Sequence, residues 1–411
     1  MKKKQLLVLI ALGLGAISAA YFFLQQMPQH NEAPENIEVK NADEEEPFVN
    51  ALLKTNGIFH LKIRGNSPYL SEDNSITDSI SIIPLKPGSQ SSLKMVGNIR
   101  KVAFSGDKIL ILNTQFKLYA FDREGHFLQM VTPQGEGPGE TLQITDFVIY
   151  RDEIYTLEAA KPYLQVFDLK TFSYRRNLPI HPEYTYTHFE HFANQWFFYC
   201  INSLGGSKTI HIYDQDFSRI KDMILENQIS VKSMIVAPEN PFNKGSDFLR
   251  IEVALNDTIF QYRKNEGLAP FLVADFGKNK IDEAAKRVFQ EGTFEETSRL
   301  YSSFDFSKIL NYAENDDFIW MSVLLSKSKN VNDIYINKKG NTWFQLSGIA
   351  LLPMGQIING AFAGMFNDFF VFSYTEEESA GLIKTKLLAD GAYKAADLEN
   401  VSEFLALVKF R

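Results

Sequence analysis

Two clusters hold the residues of this 411-residue chain best suited to chemistry. The first is Gly135-Glu136-Gly137-Pro138-Gly139-Glu140. Glycines can bare backbone N–H groups to a phosphate, but that chemistry wants a helix after them and usually a lysine. Here Ile144-Thr-Asp-Phe147 reads as the start of a strand, and two glutamates repel an anion. The spacing therefore predicts a stiffened turn, with glycine supplying positive φ and proline restricting the chain. Glu136 and Glu140 stay candidates for contact with a ligand or Ca²⁺. The second cluster, His181 to His191, holds three of the seven histidines. A strand over 187–192 puts His188 and Glu190 on one side and His191 on the other, so no metal site is expected there. Tyr184, Tyr186 and His188 are candidate ligand-binding residues, suited to stacking on a sugar or gripping a peptide.

Nucleophilic catalysis leaves no motif. Neither Gly-x-Ser-x-Gly nor His-Glu-x-x-His occurs. The one cysteine, Cys200, lies in Trp196-Phe-Phe-Tyr-Cys-Ile201 and reads as a small core residue; alone it excludes an internal disulfide and a cysteine-based zinc site. Asp316-Asp317 and Glu376-Glu-Glu378 read as turn and solvated charges. Catalytic residues are thus unassigned, and no metal or cofactor is expected. A site assembled from residues distant in sequence would leave no motif, which keeps an enzyme as the competing reading.

These clusters sit among copies of one strand. Lys117-Leu-Tyr-Ala-Phe-Asp122, Tyr163-Leu-Gln-Val-Phe-Asp168, Thr209-Ile-His-Ile-Tyr-Asp214, Thr258-Ile-Phe-Gln-Tyr-Arg263, Asp333-Ile-Tyr-Ile-Asn-Lys338 and Ala406-Leu-Val-Lys-Phe-Arg411 share a pattern. Asp122, Asp168 and Asp214 recur every 46 residues, and Arg263 follows 49 later. Several strands in a period of that length indicate a β-propeller, and six copies predict six blades. Each copy follows another apolar strand, such as Asp152 to Glu158 or Phe318 to Val323, and an inner one, such as Asp146 to Ile149. For the fourth blade the inner strand is placed at Ser233-Met-Ile-Val236. Apolar residues occupy both parities, as expected of strands packed between neighbouring blades.

The sixth copy ends at Arg411, so its outer strand must come from elsewhere. Ser79-Ile-Ser-Ile-Ile-Pro-Leu85 can supply it, closing the ring through both ends of the chain. Two longer connections carry helical patterns: 279–290, and 377–403 with helices at 380–388 and 395–404. In propeller order both emerge on one face, with the inter-blade loops 132–143, 180–187, 224–232 and 346–359. We call it the loop face, and elaborated loops there predict the binding surface.

Hydrophobic content of 45% with 22% charge marks a globular chain, and a net charge of −8 argues against a nucleic-acid partner. Lys2, Lys3 and Lys4 precede an apolar run from Leu6 to Leu24, about the length that spans a bilayer. The expectation is an uncleaved signal anchor over 1–27, with a cleaved signal peptide as the alternative. Residues 28–55 read as a flexible acidic linker and 56–411 as the propeller.

From about residue 79 onward the chain resembles the bacterial six-bladed β-propeller family related to NHL-repeat proteins. The resemblance rests on Thr132-Pro-Gln-Gly-Glu-Gly-Pro-Gly-Glu140 with Ile144-Thr-Asp-Phe147 and Leu164-Gln-Val-Phe-Asp168, on Asp257-Thr-Ile-Phe260 with Ala274-Asp-Phe-Gly-Lys278, and on Leu405-Ala-Leu-Val-Lys-Phe-Arg411. Thr141 replaces the family's usual aromatic, and its frequent lipoprotein cysteine is missing. The resemblance implies an exported protein that binds or scaffolds, with no shared catalytic set. The expectation is an all-β, six-bladed propeller with short helical insertions and an N-terminal hydrophobic helix. It would be tethered to the inner membrane facing the periplasm, or soluble there or secreted after cleavage. Its loop face would bind a protein or peptide, with a glycan less favoured. An envelope hydrolase or lyase at the channel mouth is the alternative.

Overall fold

A computed structural model describes residues 52–63, 77–86, 97–159, 161–201, 208–226, 229, 236–303, 305–326, 331–339, 342–346, 360–375 and 377–410. The apolar run 6–24 and most of the acidic linker lie outside them. The described strands form a hairpin, β1 (Leu52–Thr55) and β2 (Ile58–Lys62), then β3 (Thr77–Leu85), then the blades. Blade one is β4 (Ile99–Ser105), β5 (Lys108–Asn113), β6 (Leu118–Asp122) and β7 (Phe127–Met130). Blade two is β8 (Asp146–Tyr150), β9 (Glu153–Leu157), β10 (Tyr163–Asp168) and β11 (Tyr174–Pro179). Blade three is β12 (Thr185–Phe192), β13 (Gln195–Ile201), β14 (Lys208–Tyr213) and β15 (Ile220–Glu226). Blade four is β16 (Phe242–Lys244), β17 (Leu249–Glu252), β18 (Thr258–Arg263) and β19 (Gly267–Asp275). Blade five is β20 (Lys308–Glu314), β21 (Phe318–Leu324), β22 (Val331–Asn337) and β23 (Thr342–Leu346). Blade six is β24 (Ala361–Phe366), β25 (Phe369–Tyr374) and β26 (Glu403–Phe410), completed by β3.

The ring closes as the repeats require. β26 pairs antiparallel with β3, Val408 opposite Ile80 and Ala406 opposite Ile82. Supplying the outer strand of blade six from β3 leaves no open seam. Six apolar clusters fill the six seams between blades. This explains why both parities of the middle strands are apolar: Phe318–Leu324 is buried at every position.

Blade four departs from the expectation in two ways. Its inner strand is Phe242–Lys244, not Ser233–Val236, of which 233–235 lie outside the described residues. The actual strand is three residues long and carries no repeat pattern to detect. In addition, β2 pairs parallel with the outer strand β19, Leu61 beside Ala274, and β1 pairs with β2, making a six-stranded sheet. The chain is already paired at Leu52, ahead of the expected boundary at residue 56. Asn56 and Gly57 turn the hairpin with φ of 52° and 81°, the left-handed pair of a type I′ turn. Phe59, Leu61 and Ile63 then bury in the seam between blades four and five, Phe59 edge-on to Phe271 at 5.4 Å. Such burial stabilises by roughly 1.5–3 kcal/mol per side chain. Because β19 runs toward the loop face, β2 does too, and Leu52 stands near that face.

The long connections are helical, as their periodicity predicts. Between blades four and five lie α1 (Glu283–Glu291) and α2 (Phe294–Tyr301). Asp282 caps α1 by accepting from the Ala285 N–H, and Thr293 with Glu296 forms a reciprocal capping box on α2. Phe289 is buried against Phe306 and pins this pair to the disc. In blade six lie α3 (Glu377–Ala389) and α4 (Ala395–Leu398). Ala380, Ile383 and Leu387 recur on one side of α3 and join the core. The second helix stops at Leu398 and Glu403 already belongs to β26, so the helical expectation for 395–404 holds only for its start.

Candidate functional site

Inner strands begin at the loop face, so their first residues ring the mouth of the central channel. In blade one these are Arg100 and Lys101, in blade two Asp146, in blade three Thr187 and His188, and in blade five Lys308 and Asn311. Blade four adds Glu239, just before its inner strand, and Glu252, at the end of β17.

Part of this ring is structural. The Lys101 ammonium lies 2.7 Å from Asp146 Oδ1 and also donates to the Phe147 carbonyl. Asp146 Oδ2 accepts from the Phe189 N–H at 2.9 Å, so one carboxylate ties blades one, two and three. Burial pushes this carboxyl up, and Lys101 opposes the shift.

The other part is not closed in this way. Asn311 donates to Glu239 Oε2 at 3.2 Å and leaves its own Oδ1 without a hydrogen-bond partner among the described residues. The same holds for Glu252 Oε2 and His188 Nε2, on side chains of residues only 4% and 6% exposed. His188 Nδ1 contacts Thr187 Oγ1 at 3.1 Å. Burial, with the charges of Arg100 and Lys101, holds His188 well below the usual imidazole range, so the ring is neutral. Burial and the neighbouring Glu239 push Glu252 up to about 8, and burial also raises Glu239 against the pull of Arg100.

The structure separates the five residues singled out in the sequence. Glu136 is exposed on the loop between blades one and two. Glu140 turns inward within the same loop: its Oε2 accepts from the Gly137 N–H at 2.9 Å, and its carbonyl accepts from Lys161 and Gln165. Gly139, at φ 79°, lets Tyr174 pack where a Cβ would sit 2.8 Å from it. Thr141 is buried and donates to Thr132 Oγ1 at 2.8 Å, a hydroxyl pair in the place of an aromatic contact.

Tyr184 is half-buried at the loop-face end of blade three, its ring edge-on to His211 at 4.4 Å and near His181 at 4.9 Å. Tyr186 is only 1% exposed, with its hydroxyl 2.9 Å from both His211 Nδ1 and Tyr213 OH. It supports Tyr184 from beneath and has no open surface of its own. His188 belongs to the channel mouth, while His191 lies on the other side of its strand, its ring 3.7 Å from that of Tyr150. The three histidines do not converge.

The opposite face, formed by tight turns within the blades, has its own features. A cleft between blades three and four is lined by Tyr150, His191, Lys244, Asp247 and Arg263. Its charges satisfy one another, Lys244 with Glu190 at 2.7 Å and Arg263 with Asp247. Asp122, Glu124 and His126 bring three ligand atoms within 4.8 Å. His126 Nε2 already faces Lys86 Nζ at 3.2 Å, and its Nδ1 bonds Asp122.

The mouth residues escaped sequence reasoning because Glu239 and Asn311 lie 72 positions apart and form no motif. The one signal available was the rule that inner strands start at the loop face. Among the described residues, no helix is long and apolar enough to cross a membrane.

Residues 63–396 match the family described as Domain of unknown function (DUF4934). No curated protein matches the chain. Among solved structures, a protein of Bacteroides fragilis NCTC 9343 described as exported superposes with a TM-score of 0.66 at 14% identity, over 86% of this chain and 99% of its own. A member of the DUF4221 family from Bacteroides vulgatus ATCC 8482 gives a TM-score of 0.48 at 9% identity, over 82% and 97%. At such identities the likeness concerns the fold alone.

Proposed function

This chain belongs to the DUF4934 family, and on that footing we propose that it is an exported, membrane-tethered propeller that binds a protein or peptide through its loop face. One observation carries the reading. Of the six exposed large apolar side chains among the described residues, five sit on loop-face elements: Leu142, Phe294, Val331, Leu382 and Leu388. The sixth, Leu128, lies on the outer strand of blade one. Exposed apolar residues that share one face favour that face as the one that meets a partner. Tyr184 and Glu136 lie on elements of the same face, Glu140 shapes the loop carrying Glu136, and Tyr186 packs beneath Tyr184. A glycan is a less fitting partner, because the half-buried Tyr184 offers little open ring for stacking.

Export rests on Lys2 to Lys4 followed by Leu6 to Leu24, with 28–51 as the tether. The relation to NHL-repeat proteins belongs to the same proposal. The competing reading is a hydrolase or lyase at the channel mouth; the raised Glu252 carboxyl beside neutral His188 favours it.

The test is cross-linking in intact envelopes, comparing the natural chain with Leu382→Asp/Leu388→Asp and with Tyr184→Ala. Partners recovered with the natural chain should fall at least about tenfold with the double variant. Equal recovery from all three proteins would remove the loop face as the binding surface.

A further inference from the structure

We propose that the channel mouth is a binding site for a primary ammonium group carried by a peptide, held by Glu252, Glu239 and Asn311 with His188 beside them. The proposal rests on the loop-face reading and names the chemistry at its centre.

Geometry comes first. Blades three, four and five each contribute to this corner of the mouth, and Arg100 of blade one stands next to it. Glu239 is the common neighbour: Asn311 donates to it at 3.2 Å, its backbone carbonyl faces His188, and its charge acts on Glu252. Two acceptors here, Glu252 Oε2 and Asn311 Oδ1, have no hydrogen-bond partner among the described residues. A buried acceptor left so costs about 1–3 kcal/mol unless a water, an ion or a ligand supplies the donor.

Charge then selects the ligand. Arg100 offsets Glu239, but no basic side chain acts on Glu252; its charged or titratable neighbours are Glu239, Tyr199 and Tyr301. The missing component is a cation with several N–H donors. A primary ammonium has three donors and no acceptor, matching two carboxylates and an amide oxygen. His188 stays neutral and does not repel it. A divalent ion fits less well. Among the described residues, the one group of three His, Asp or Glu ligand atoms within 4.8 Å lies at Asp122, Glu124 and His126, on the other face.

The source of the ammonium is either a chain terminus or a lysine side chain. Titration calorimetry on the full chain near pH 7 separates them with three probes: glycylglycine amide, Nα-acetyl-lysine methylamide and N-acetylglycine methylamide. The first or second should bind and the third should not. An ammonium stabilises the ionised Glu252, so binding should release about one proton, read as a dependence of heat on buffer ionisation enthalpy. Glu252→Gln should abolish that release and weaken binding about tenfold, while Glu239→Gln should weaken binding and leave the release in place. Equal binding of the uncharged probe, binding without proton release, or saturation of the site by Ca²⁺ alone would each overturn the proposal. Should it fail while Leu382→Asp/Leu388→Asp still loses partners, the loop-face reading stands without it.

Discussion

The two faces of this disc differ in how fully their carboxylates are matched by cations. On the turn face, charges are closed pairwise: Asp168 with Arg175, Glu153 with Arg175 and Arg176, Asp317 with Lys339, Lys409 with Asp368. Pairing is strong enough that the Arg176 and Arg175 bonds, with Tyr155, hold Glu153 down to about 2. On the loop face, Lys101 and Asp146 also pair, but Glu252 Oε2 and Asn311 Oδ1 have no hydrogen-bond partner among the described residues, and Leu382, Leu388 and Phe294 are exposed. Unmatched atoms occur on the turn face as well, His191 Nε2 and Asn243 Oδ1 among them, but the turn-face carboxylates named above have cations, whereas Glu252 has none. Strand β17 carries both solutions two residues apart. Arg250 lies toward the turn face, sandwiched between Phe248 and Phe271 at 3.7 and 3.5 Å, its Nε 2.7 Å from Glu314. Glu252 lies toward the loop face with no cation.

The contrast can be broken outright by deleting residues 77–86. Blade six would lose its outer strand, both faces would lose their frame, and calorimetry should show loss of the single cooperative transition. A truncate melting like the full chain would refute closure as the source of that cooperativity. Next in size is Arg250→Ala. It leaves Glu314 buried with Lys338 alone and should cost about 3–5 kcal/mol in denaturant titrations. Glu252→Gln, two residues on, should cost nothing near pH 4.5 and should stabilise increasingly as pH rises toward 8. The sign follows from linkage. The folded state holds the Glu252 proton up to about pH 8, whereas the unfolded chain releases it near 4.5. Between those values the natural chain binds more protons folded than unfolded, so this residue's contribution to stability falls as pH rises. The difference between the natural chain and Glu252→Gln should therefore grow from pH 4.5 to 8 and then level off. The smallest effect belongs to the surface: removing Arg219, 78% exposed beside Asp214, should leave the midpoint unchanged.

Architecture was legible because a propeller writes its plan repeatedly. Asp122, Asp168 and Asp214 end equivalent strands, and the missing outer strand of blade six pointed to Ile80 and Ile82. The hairpin on blade four was missed: Asn56-Gly57 between apolar runs is a strong turn signal, but a single copy does not stand out from linker composition. Tyr186 shows what composition does not reveal. An aromatic beside loop residues looks available, but a bulge between Tyr186 and His188 and the hydroxyls of its neighbours draw it into the core. Glu239, Glu252 and Asn311 stayed invisible for another reason: their proximity is a property of ring closure, not of spacing along the chain.

The hairpin also fixes geography. Since Leu52 lies beside Leu61, near the end of blade four that carries the helices, the preceding polypeptide arrives from the same side that would grip a partner. Under the proposed bilayer anchor at residues 6–24, the tether would therefore join the disc from its loop-face side. Residues 25–51 would limit the gap to about 90 Å when fully extended. A flexible tether of that length would confine encounters to partners within its reach.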